Sequence, residues 1–111
     1  YSNIAIFAGA FGTTPGDLTN LGTSVRGYVG AGQVCSAHYQ VGAHLCTPDE
    51  LVRSSVLGKL PSNIQGWYAG GLGDDCSAFT LATGGLYGPV WAAGAPDSRD
   101  CSLSFPILCC R

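Results

Sequence analysis

Charge is scarce in this chain. Of its 111 residues, 11% are Asp, Glu, Lys or Arg, and the formal net charge is −2. Five Lys plus Arg, spread along the sequence, cannot make the basic stripe that phosphate binding needs. That argues against nucleic acid as a partner. Long apolar runs are also missing. The hydrophobic fraction is 46%, yet the longest such run, Ile4 to Phe11, is broken by Gly9. A membrane-spanning helix needs roughly 20 apolar residues, so a soluble chain without membrane insertion is expected. None of the three asparagines, Asn3, Asn20 and Asn63, begins an Asn-x-Ser/Thr sequon, which removes asparagine-linked glycosylation. Methionine is absent and the first residue is Tyr1. Both are expected of a mature product from which a secretory signal has been removed.

The signatures of common reaction centres are missing as well. There is no Gly-x-Ser-x-Gly elbow, and the glycine-rich "GGLGDD" at 70–75 lacks the lysine of a phosphate loop. A zinc site needs four convergent ligands, usually with a closely spaced cysteine pair. Here Cys35 and Cys46 are too far apart in sequence, Cys109 and Cys110 are adjacent, and the only histidines are His38 and His44. The densest chemistry is in "GAHLCTPDEL", which holds His44, Cys46, Asp49 and Glu50. No base-orienting triad accompanies His44, so it is read as a partly buried histidine bonded to backbone and not as a catalyst. No enzyme is expected.

What the chain does have is cysteine. Six stand at 35, 46, 76, 101, 109 and 110. An even number in a short, weakly charged chain reads as three disulfides formed in an oxidising compartment. Pairing of all six also leaves no thiolate to act as a nucleophile. Six cysteines permit fifteen connectivities.

Periodicity and capping place the elements. "IAIFA" at 4–8 suits a buried strand, and the Gly/Thr/Asn-rich stretch 12–23 reads as a loop. Val29, Val34 and Ala37 stand at spacings a short helix could use, which predicts a helix over 30–40 despite Gly30 and Gly32. The second helix is better marked. Thr47 is a good N-cap, Pro48 suits the first helical position, and Glu50 completes a capping box. Asp49 and Glu50 also meet the positive end of the helix dipole. Leu51, Val52, Ser55 and Val56 would share one face, and Gly58 would stop the helix. After Pro61, short aromatic or β-branched segments alternate with Gly, Pro and Asp, as short strands and long ordered loops do. With helices first and strands later, the expected class is α+β, as one domain over residues 1–111.

Two groups of side chains invite a ligand. Asp74 and Asp75 precede Cys76, while Asp97 and Asp100 precede Cys101. If Cys76 pairs with Cys101, their Cα atoms lie about 5–6 Å apart. Asp75, Asp97 and Asp100 then become candidate calcium ligands, although solvated aspartates at turns, one screened by Arg99, are the simpler reading. No cofactor is otherwise expected. The aromatics Trp67, Tyr68, Tyr87 and Trp91 form the second group. Exposed rings of this kind stack on sugars or anchor protein partners. At least one tryptophan should be core, and Tyr87 and Trp91, flanked by Gly88, Pro89 and Gly94, are the surface candidates.

The order of these motifs resembles the C-type-lectin-like superfamily over roughly residues 25–111. "VCSAHYQVGAHLCTPDEL" is similar to its helix-to-helix passage, with Gly42-Ala43-His44-Leu45 in place of Gly-Gly-His-Leu. "GWYAGGL" resembles its Trp-Ile-Gly-Leu core strand, "WAAGAPDSRDC" its long loop, and "FPILCC" its closing Pro-Phe-Ile-Cys strand. The N-terminal part, "AFGTTPGDLTNLGTSVRGYVGAGQVC", is similar to bacterial extracellular domains related to the collagen trimerisation and endostatin branch. The resemblance implies two short helices, a small antiparallel sheet and long ordered loops. It also implies the bridges Cys35–Cys109 and Cys76–Cys101, which leave Cys46 for Cys110. Adjacent strand residues point to opposite faces, so Cys109 and Cys110 can serve different partners.

One departure bears on the ligand. The family's calcium-and-sugar loop carries Glu-Pro-Asn or Gln-Pro-Asp and a later Trp-Asn-Asp. This chain has Ala95-Pro96-Asp97, whose alanine offers no side-chain oxygen, and no Trp-Asn-Asp. The expected function is therefore a secreted, non-catalytic recognition domain that binds carbohydrate by ring stacking and loop hydrogen bonds. Asp74, Asp75, Tyr87, Trp91 and Asp97 are its expected contacts. The alternative is a structural subunit of an extracellular homo-oligomer, fibre or surface layer, favoured by low charge and many small residues.

Overall fold

The computed structural model describes residues 5–14, 27–69, 87–92 and 94–111. Its elements run β1 (Phe7–Thr14), α1 (Gly27–Tyr39), β2 (His44–Leu45), α2 (Pro48–Val56), β3 (Gln65–Trp67), β4 (Tyr87–Ala92), β5 (Ala95–Asp100) and β6 (Phe105–Cys110). The class is α+β, but β1 and β2 interleave with the helices, so the expected helices-then-strands order does not hold. The six strands form one sheet in the order β1-β6-β3-β4-β5, with β2 attached to β6. It is mixed and not purely antiparallel, because Trp67 on β3 runs parallel to Ile107 on β6.

Strand alternation gives this sheet two cores. On β6, Ile107 and Cys109 join one cluster while Leu108 and Cys110 join the other. The same split separates Trp67 from Tyr68, and Val90 and Ala92 from Trp91. Helix α1 covers the first face through Ala31, Val34 and Cys35, and α2 covers the second through Leu51. Each layer is then tied covalently: Cys35 bonds Cys109 and Cys46 bonds Cys110, with all four residues fully buried. Among the described residues two of the three expected bridges are formed, and Cys101 is disulfide-bonded as well. Cys101 is fully buried in the first cluster, and its expected partner, Cys76, lies outside the described residues.

Local chemistry explains the helices only in part. The capping box of α2 is formed: Glu50 N donates to Thr47 Oγ1 at 3.3 Å, and Thr47 N donates to Glu50 Oε1 at 2.9 Å. Gly58 follows the helix at φ +71°, a left-handed turn that glycine makes without steric cost. The buried face differs from the expected one. Leu51 and Ser54 point inward, while Val52, Ser55 and Val56 are exposed. The cause lies on another element. Ser54 Oγ donates to Glu50 O at 2.7 Å and accepts the Phe7 amide at 2.8 Å, so a hydroxyl satisfies a donor that valine would leave buried and unpaired. In α1 the inward residues are Ala31, Val34 and Cys35, whereas Val29 and Ala37 face solvent. The helix also starts three residues earlier than expected. The two interior glycines of α1, Gly30 and Gly32, each cost about 1 kcal/mol relative to alanine, so its stability comes from packing and from Cys35.

Strand β1 runs through part of the expected loop. It extends to Thr14, with register shifts between Phe7 and Gly9 and between Phe11 and Thr14. Gly9 makes room for the packing of α1, since an added Cβ would lie 2.5 Å from the hydroxyl oxygen of Tyr39 and displace that ring. That hydroxyl donates to Ala10 O at 3.0 Å and fixes α1 against the strand.

Candidate functional site

The outer hairpin β4–β5 carries three of the five expected contacts, Tyr87, Trp91 and Asp97. Cross-strand register sets Tyr87 opposite Asp100, Pro89 opposite Ser98, Val90 opposite Asp97 and Trp91 opposite Pro96. Gly94, at φ +81°, helps turn the chain between them. Strand β4 is buried after Tyr87, whereas Ala95 to Ser98 are exposed. Among the described residues β5 pairs only with β4, which leaves it at the sheet edge.

Tyr87 is 49% exposed and presents its ring beside this edge. Trp91 does not. Its exposure is 2%, because its place on β4 turns it into the second core, edge-on to Tyr68 with ring centroids 6.0 Å apart. The assignment of Trp91 to a ligand surface is therefore corrected: it is scaffold. Both tryptophans are core residues, and Trp67 is fully buried.

Asp97 is a charged acceptor already committed to its neighbours. It accepts the Ser98 amide at 2.8 Å and pairs with Arg99, whose side chain is two positions on. First the backbone hydrogen bond from Ser98 and then the Arg99 guanidinium hold its carboxyl below the usual range. Its charge also reaches the Tyr68 hydroxyl, where burial first and Asp97 second push the phenol's pKa up. Tyr68 thus stays a neutral donor. Asp100 accepts the Ser102 amide at 2.9 Å and the Ser102 hydroxyl at 2.7 Å.

Asp97 and Asp100 stand three positions apart on one strand, and alternation turns them to opposite faces. The structure does not bring these two candidate calcium ligands together. No group of three or more His, Cys, Asp or Glu side chains among the described residues is placed to hold a metal ion. Asp74 and Asp75 lie outside the described residues.

Comparison with known proteins adds no relative to this geometry. No family model, no curated protein and no solved structure matches the chain. The sheet edge has to be read from its own residues. The sequence offers Tyr87 and Asp97 as candidates for this edge but Arg99 only as a screen. The detectable signal was its two-residue offset from Asp97, which puts both side chains on one face of a strand.

His44 sits apart from this edge, at the start of β2. Its Nδ1 lies 3.0 Å from Gly42 O, and its Nε2 lies 2.9 and 2.7 Å from the two Glu50 oxygens. Both partners are pure acceptors, so only the imidazolium satisfies both contacts. Burial lowers the pKa of His44. The bonds to Gly42 and Glu50 and the charge of Glu50 outweigh that, and the net shift is upward from 6.5. A raised folded-state value means stabilisation that is complete below pH 6.5 and lost as pH rises through the folded pKa. The melting temperature of the wild type should exceed that of His44→Ala most clearly near pH 5.5, and the gap should shrink toward pH 9. A gap that stays constant or widens with pH would contradict the assignment. Solvent reaches part of the ring, so the effect is modest.

Proposed function

We propose that this chain is a secreted, non-catalytic recognition domain of C-type-lectin-like fold whose ligand class is carbohydrate, bound at the β4–β5 edge. The observation that carries the reading is the exposed Tyr87 ring next to a strand of exposed polar side chains, on a frame stapled by two buried disulfides. A planar ring covers the apolar face of a sugar, while Ser98, on the same face of the hairpin as Tyr87, offers its hydroxyl. Asp97 and Arg99, on the opposite face of this edge strand, reach the ligand around its open side. Asp74 and Asp75 belong to the same reading through the segment that precedes β4. Secretion agrees with the disulfides and with the finding that no helix among the described residues is long and apolar enough to cross a membrane.

Calcium has little part in this reading. Ala95 contributes no side-chain oxygen, and Asp97 is held by Arg99. A glycan array run with and without a chelator should give the same hits in both arms. Tyr87→Ala should weaken binding about tenfold, the equivalent of about 1.4 kcal/mol of lost stacking. An array without hits, or a Tyr87→Ala variant that binds as well as the wild type, would remove the proposal.

The structural-subunit alternative fits this edge less well. Pro96, Asp97, Arg99 and Asp100 place a proline and three charges on β5, the composition that blocks strand-to-strand growth.

A further inference from the structure

Helix α2 carries an apolar stripe that its own core does not use. Val52 is 52% exposed, Val56 81% and Leu57, just beyond the helix, 54%. With Asp49 and Arg53 they occupy positions i, i+3, i+4, i+7 and i+8, the spacing of one continuous helix face. Leu51 and Ser54 supply the inward face. The outward one is therefore a second seam and not the edge of the first. An apolar stripe rimmed by charge marks an interaction surface.

Its charges indicate the partner. Asp49 and Arg53 stand four positions apart, where they could bridge each other along the helix, yet they form no ion pair among the described residues. Antiparallel packing of two such helices about a two-fold axis brings Asp49 of each copy within reach of Arg53 of the other. Val52 and Val56 of both copies then meet across the axis. A single patch holding both signs around an apolar centre is self-complementary, as an isologous contact must be.

We propose that the α2 face is the contact between two copies of this chain in a weak, symmetric dimer. Three aliphatic side chains cover far less than the roughly 800 Å² per partner of a stable interface, so the dimer forms only at high concentration. None of its residues belongs to the β4–β5 edge, so both copies keep that surface free for a multivalent ligand. The inference does not depend on what that ligand is.

Sedimentation equilibrium from about ten micromolar to about one millimolar tests it. The wild type should shift from monomer to dimer, more weakly at high salt. Val56→Lys should raise the dimer dissociation constant at least about tenfold. Asp49→Arg and Arg53→Asp alone should each weaken association several-fold, and the two together should restore it, because the swapped charges again oppose each other between copies. Circular dichroism confirms that each variant is folded. A monomer throughout that range, whether or not it sediments with phosphatidylcholine vesicles, overturns the proposal. So does a dimer unaffected by Val56→Lys, or a double charge swap no tighter than either single one.

Discussion

Removing either buried disulfide is expected to cost about 3 kcal/mol, and removing both about 7 kcal/mol, more than twice the single effect. The reason is how the two loops overlap. Taken alone, the bridges close loops with separations of 74 and 64 residues, each worth about 4 kcal/mol of denatured-chain entropy. With Cys35–Cys109 in place, Cys46 and Cys110 are already tethered through a path of about 12 residues, and closing it is worth only about 3 kcal/mol. Each bridge therefore partly substitutes for the other. Cys46→Ala/Cys110→Ala and Cys35→Ala/Cys109→Ala, made as pairs so that no thiol is orphaned, should unfold at moderately lower urea concentrations. The fourfold variant should lie at or below the margin of folding, since domains of this size have roughly 5–15 kcal/mol in total. Additive losses in urea titrations would contradict the overlapping-loop account. A non-reducing digest of the same samples reports on the third proposed bridge, and a peptide joining Cys76 to any residue but Cys101 would remove it.

Trp67→Ala should be the most damaging single substitution, with a loss of about 3–5 kcal/mol. Trp67 is fully buried, meets Phe105 edge-on at 5.4 Å and donates its indole N–H to Thr14 O at 2.8 Å. It therefore fills the first core and also pins the far end of β1, 53 residues away in sequence. Trp67→Phe separates the two contributions. It keeps most of the packing and removes the donor, for a loss nearer 1–2 kcal/mol. Equilibrium unfolding of both variants checks the ranking. A Trp67→Ala loss below about 2 kcal/mol would mean that the pocket collapses around the missing ring or that the site is not closed.

How much of this was legible in the sequence depends on the range of the interaction. The α2 cap was legible because all of its partners lie within four residues. The Cys35–Cys109 and Cys46–Cys110 bridges followed from resemblance, and alternation explains how adjacent cysteines serve two layers. The buried face of α2 was not legible. Ser54 is inside because it answers the amide of Phe7, and no local pattern carries that information. The end of β1 was hidden similarly: Gly12 and Thr13 look like a turn, yet Phe11 and Thr14 on either side of them pair with β6. At the candidate site, Tyr87 and Asp97 could be picked from residue type. Trp91 could not be placed, since one position along β4 decides between solvent and core.

The adjacency of Cys109 and Cys110 also sets a timetable. Both bridges end on the last strand, so during synthesis Cys35 and Cys46 emerge long before their partners do. Until then the cysteines of this sequence within their reach are each other, Cys76 and, later, Cys101. Oxidation that outruns elongation would join the wrong pair and hold α1 and the start of α2 in a false arrangement. Whatever oxidising system folds this chain must therefore either delay oxidation or reshuffle early bridges. Native yield in a refolding reaction should accordingly rest on thiol–disulfide exchange more than on the rate of collapse.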